Sequence, residues 1–61
     1  RPMTEKHVKQ IEAQLAEGEK IERMYRAFEG DIRVITKDHG KETRYTVIHN
    51  PEDDSVTLRK M

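Results

Sequence analysis

Apolar residues follow two rhythms along this 61-residue chain, and the change comes near Gly30. Before it, Val8, Ile11, Leu15, Ile21, Tyr25 and Phe28 fall within an arc of about 160° when spaced at 100° per residue, the stripe of an amphipathic helix. Thr4 can cap that helix with its hydroxyl, and Glu5 suits its positive end. Glu29-Gly30 supplies the stop, with glycine just past the last turn. The pattern predicts a helix over about residues 5–29, with Glu5/Lys9, Glu19/Arg23 and Glu22/Arg26 spaced i,i+4 on its solvated side.

After Gly30 the apolar and polar residues alternate, and the apolar ones are mostly β-branched. Residues 31–37 read as a first strand. Asp38-His39-Gly40 is a hairpin turn with glycine available for positive φ, and residues 42–49 form the second strand. Asn50-Pro51-Glu52-Asp53 suits a type I turn, with Asn first and Pro second, before a third strand over residues 55–60. The expected fold is a single α+β domain over residues 1–61. One N-terminal helix packs on a three-stranded antiparallel meander, in the order α-β-β-β.

Period-two alternation assigns the two sheet faces. Ile32, Val34, Tyr45, Val47, Val56 and Leu58 should lie under the helix. Arg33, Ile35, Lys37, Arg44, Thr46, Ile48, Thr57, Arg59 and Met61 should form the other face. Every acid of the C-terminal half sits at a turn or strand end, so the middle of that face is expected to be basic without local compensation.

Gly18 and Glu22 break the helical stripe. A continuous helix would approach the sheet closely at Gly18, at a propensity cost of about 1 kcal/mol relative to Ala. The alternative is a turn at Glu17-Gly18-Glu19 that divides the segment into helices 5–17 and 20–29. That arrangement resembles a reduced winged helix in architecture alone, and it would line a recognition helix with Lys20, Arg23 and Arg26.

Composition narrows the functions. Twelve Lys and Arg balance twelve Asp and Glu, six of each sign in residues 1–30 and six in 31–61, so no global field draws the chain to DNA or an anionic membrane. No apolar run exceeds two residues, so a membrane span and a signal-peptide core are not expected, and the reading is cytoplasmic with no membrane partner. The chain opens Arg1-Pro2-Met3, which makes Met3 a candidate natural start behind added residues, or the chain a fragment of something longer. There is no Cys, hence no disulfide and no thiolate metal site to staple a small core. Self-association is the remaining means of support.

Catalysis finds little footing. His7, His39 and His49 are far apart in sequence without metal-ligand spacing, so no metal site is expected. Glu22 with His7 or His49 is a weak acid–base candidate. Ser55, the only Ser, reads as a turn cap beside Asp53 and Asp54. No catalytic residue, cofactor or small-molecule substrate is assigned. The expected function is a small non-enzymatic accessory or regulatory protein acting by protein contact, most simply a homodimer. Its interface candidates are Arg33, Ile35, Arg44, Thr46, Ile48, Thr57 and Arg59, with Ile35, Ile48 and Met61 expected to form a small apolar centre and the arginines a polar rim. The alternative is nucleic-acid binding through Arg33, Arg44 and Arg59, weakened because Tyr25, Phe28 and Tyr45 are all expected to face the core and none would stack on bases.

Overall fold

The computed structural model describes residues 4–61; Arg1, Pro2 and the candidate start Met3 lie outside the described residues. One helix, α1 (Glu5–Ala13), is followed by strands β1 (Lys20–Arg26), β2 (Ile32–Asp38), β3 (Lys41–Asn50) and β4 (Ser55–Lys60). The strands pair in sequence order as an antiparallel meander. The fold is α+β with one helix, as expected, but the sheet has four strands instead of three. Among the described residues no helix is long and apolar enough to cross a membrane.

The extra strand is the second half of the predicted helix, and a β-bulge explains the error. Ile21 faces Thr36 and Arg23 faces Ile35, so Glu22 is an additional residue with no partner in the ladder. The insertion puts Ile21 and Met24 on the same sheet face at a spacing of three, which imitates a helical period. Tyr25 then points to the opposite face. Phe28 sits in the β1–β2 turn, fully exposed at 105%. Residues 20–26 are a strand, so the helical turn that would bring Glu19 beside Arg23 and Glu22 beside Arg26 is not formed, and neither is a recognition helix over 20–29.

What remains of the helix is well specified. Thr4 Oγ1 accepts the His7 backbone N–H at 3.4 Å while His7 Nδ1 accepts the Thr4 N–H at 3.4 Å, a capping box with His in the place of Glu. Ile11 is the one fully buried apolar residue of α1 and meets Val34 and Val56 in the core; Ile21, Met24, Tyr45, Val47 and Leu58 pack half-buried around them. The expected core face is therefore found, with Val34 fully buried and Ile32, Val47 and Leu58 side by side in register.

α1 packs against β4, and its polar side chains close that strand's open edge. Gln10 Oε1 accepts the Val56 N–H at 2.9 Å, Gln14 Oε1 accepts the Leu58 N–H at 3.0 Å, and Gln14 Nε2 donates to the Val56 carbonyl at 2.8 Å. Two glutamines thus stand where a fifth strand would pair.

Residues 14–19 must then carry the chain from the β4 edge to the β1 edge. Three strand spacings are about 14 Å, within the roughly 20 Å reach of six extended residues. Gly18 turns the path at φ 89°, where a Cβ would lie 3.3 Å from Asp38 Oδ1. Glu19 fastens the crossing to the inner sheet face. Its Oε1 accepts the Ala16 N–H at 3.0 Å, and its Oε2 accepts the hydroxyls of Tyr45, at 2.7 Å, and of fully buried Thr36. The Thr36 hydroxyl and then the Ala16 N–H hold the Glu19 carboxyl below its ordinary value of 4.5, and the same carboxylate pushes the Tyr45 phenol up.

The other turns follow the sequence reading. His39 (φ 52°) and Gly40 (φ 85°) give the β2–β3 hairpin two central residues of positive φ, as a type I′ turn requires. In the β3–β4 turn Asn50 Oδ1 accepts the Glu52 N–H at 3.0 Å, and Asp54 closes the loop at φ 59°.

Replacing Glu19 by Ala should cost about 1–3 kcal/mol by removing a charged acceptor and leaving the buried Thr36 hydroxyl only the long 3.5 Å contact to the Thr43 carbonyl, read from denaturant midpoints at neutral pH. Because the native carboxyl titrates below its unfolded value, its stabilisation is complete above 4.5 and disappears as pH falls through the lowered native value. The gap between wild type and Glu19→Gln should therefore close in acid; a gap that is independent of pH would contradict the assignment. For the β4 edge, Gln10→Ala with Gln14→Ala should destabilise by about 0.5–1.5 kcal/mol per lost bond and expose Val56 and Leu58 amides to hydrogen exchange.

Candidate functional site: the outer sheet face

Because α1 and residues 14–19 both lie on one side of the sheet, no element among the described residues covers the other side. Its side chains form rows across the strands. Lys20, Lys37 and Glu42 make one row; Arg23, Ile35 and Arg44 the next; Tyr25, Arg33, Thr46 and Arg59 the third; Ile48 and Thr57 the last. All seven interface candidates, Arg33, Ile35, Arg44, Thr46, Ile48, Thr57 and Arg59, share this face. Lys20 and Arg23, expected on a recognition helix in one reading, join them from β1. Arg26 lies across from Ile32 and so belongs to the inner side.

The details differ from expectation in three respects. The apolar residues form no compact centre: Ile35 and Ile48 lie either side of the Arg33–Thr46 row, about 14 Å apart along the strands. The arginines hold the middle instead. Second, the charge has local compensation, because Lys37 Nζ lies 3.3 Å from Glu22, Arg44 Nε 3.0 Å from Glu42 and Arg33 Nη2 3.6 Å from Glu29. These are surface pairs of small strength that a stronger anion can displace. Third, Tyr25 faces outward, its ring 5.0 Å from the Arg23 guanidinium carbon.

Arg33 differs from its neighbours. Only 22% of its side chain is exposed, Nη1 reaches the Met61 sulfur at 3.4 Å, and Nε is buried without a hydrogen-bond partner. It is set into the face, whereas Arg23, Arg44 and Arg59 stand out from it. Ile48 and Met61 remain 44% and 65% exposed.

Elsewhere the catalytic candidates are committed to structure. Ser55 Oγ donates to Asp53 Oδ1 at 2.7 Å, a turn cap as expected, and Glu22 pairs with Lys37 far from either histidine it was matched with. His39 is exposed at the hairpin tip beside Asp38. His7 and His49, distant in sequence, meet at Asp54.

Comparison with known proteins finds no family model, no curated protein and no solved structure that matches this chain.

The sequence reading missed Arg23 and Tyr25 as members of the face. The available signal was Glu22, a charge in the middle of an otherwise apolar stripe, which marks the bulge that sets both residues outward.

Proposed function

We propose that this chain is a small non-enzymatic binding protein that meets a protein partner with its outer sheet face. The observation that carries this reading is the composition of the uncovered face: four arginines, a tyrosine, two isoleucines and a methionine, with Lys and Glu confined to one end row and the bulge. Arg, Tyr and Met are enriched at protein interfaces, and Lys and Glu are depleted there. The face suits an acidic partner surface better than a second copy of itself. A two-fold stack of this face would set arginine against arginine across the join, where juxtaposed like charges cost on the order of several kcal/mol.

Two observations keep other partners in play. Among the described residues only Ile11, Val34 and Val56 are buried apolar side chains, and the molecule measures 17 Å in its thinnest direction, which favours association with another layer, including a second copy. Tyr25 on the face and Phe28 at its margin supply the stacking surfaces whose expected absence weakened the nucleic-acid reading.

Sedimentation equilibrium should return a monomer, and bait carrying wild-type chain should retain an acidic protein that Arg44→Glu with Arg59→Glu releases while far-UV circular dichroism stays unchanged. Arg23→Ala and Arg59→Ala should each weaken that complex by more than about 1 kcal/mol. A dimer dissociated by Ile48→Lys would replace the acidic partner with self-association. Binding of a fluorescent single-stranded oligonucleotide that weakens steeply with salt would replace both.

A further inference from the structure

We infer that His7, His49 and Asp54 form a binding site for a single divalent transition-metal ion of the zinc class, on the side of the sheet opposite the outer face. Three elements bring the residues together. His7 lies in the first turn of α1, His49 near the end of β3, and Asp54 at the close of the β3–β4 turn. Their ligand atoms all lie within 4.8 Å of one another. Asp54 Oδ1 is 3.1 Å from His7 Nε2 and 2.7 Å from His49 Nε2, and the two rings meet edge to face at 5.5 Å.

The donor set selects the ion. Two imidazoles and a carboxylate suit zinc and its neighbours, while magnesium and calcium prefer oxygen alone. Tetrahedral bonds of about 2.0–2.1 Å place ligand atoms about 3.4 Å apart, so the two short contacts must widen by several tenths of an ångström and the nitrogen–nitrogen separation, within 4.8 Å, must settle to the same value. The side chains that must move are able to: His49 and Asp54 are 37% and 40% exposed, whereas His7, at 5%, provides the fixed point. Three protein ligands leave a fourth position toward solvent.

Two groups compete with the ion. His7 Nδ1 accepts the Thr4 N–H, so Nε2 carries the proton that it donates to the Asp54 carbonyl and carboxylate. Metal at Nε2 moves that proton to Nδ1 and gives up a 3.4 Å contact, the longest class of bond in the cap. Lys6 Nζ lies 3.9 Å from Asp54 Oδ2 and is itself 61% exposed, free to swing away. Asp54 holds a left-handed backbone that non-glycine residues seldom adopt, which keeps its carboxylate under the two rings. A bound ion would join α1 to the β3–β4 hairpin, the staple that a chain without cysteine otherwise lacks.

The test is zinc chloride added to the EDTA-treated chain, with magnesium chloride as control, followed by calorimetry and thermal unfolding. Zinc should bind one to one and raise Tm as its concentration passes Kd, EDTA should reverse the shift, and magnesium should have no effect. His49→Ala, at an exposed position, should remain folded and lose the zinc shift; His39→Ala should keep it, and Lys6→Ala should tighten binding. The inference is overturned if zinc leaves wild-type Tm and the His7 and His49 ring resonances unchanged, or if His49→Ala binds zinc as wild type does.

Discussion

A single carboxylate lets a nine-residue helix serve a four-stranded sheet. α1 packs mainly against β4 and sends Ile11 to Val34 of β2, so the inner face toward β1 depends largely on the segment that crosses it. That crossing has few apolar side chains to bury: Leu15 is half-buried and the rest are Ala, Gly, Gln or Glu. Glu19 holds the segment down by hydrogen bonds where hydrophobic burial is scarce, taking the Thr36 and Tyr45 hydroxyls from two strands on one oxygen. In return it gives a hydroxyl that is wholly buried among Val34, Ile21 and their neighbours a charged acceptor much closer than the Thr43 carbonyl at 3.5 Å.

This arrangement decides which surfaces are available. Helix and crossing segment occupy the same side, so among the described residues no element covers the opposite face along any of the four strands. The two edges are treated differently. At β4 the side chains of Gln10 and Gln14 occupy the backbone's hydrogen-bonding groups. At β1 the bulge at Glu22 and the charges of Lys20 and Arg23 interrupt a flat edge, a common defence against strand addition. Both edges are thereby poor sites for strand addition, which leaves the face as the surface on which the proposed partner would dock.

The hairpins were legible because their signals are local: Asp38-His39-Gly40 and Asn50-Pro51 each encode a backbone geometry within a few residues. Alternation from Ile32 to Leu58 likewise placed Val34 inward and Ile48 outward without knowledge of the fold. The segment from Lys20 to Arg26 misled because one inserted residue turns a period of two into a spacing of three, and the apolar stripe alone cannot separate a bulged strand from a helix. Glu19 was read as a solvated helix charge, since its partners lie 17 and 26 residues away. His7 and His49 failed in the same manner: ligand spacing along the chain says nothing of residues that a hairpin and a helix cap bring together.

β3 links the two candidate sites. Ile48 and His49 are consecutive and point to opposite sides, one among the outer rows and the other beneath Asp54. An ion held by His7, His49 and Asp54 would fix the end of β3 against α1 without touching the outer side chains. A partner on the outer face would bury Ile48 and Arg59 without touching the ion. Energetic coupling between the two therefore has one route, the twist of the β3–β4 hairpin, and that hairpin is already pinned by Gln10 and Gln14 along β4. A strand pinned on its outer edge has little freedom to change twist. If the inferred ion and the proposed partner both bind, this arrangement would let them act independently, the ion through the stability of the fold and the partner through the outer face.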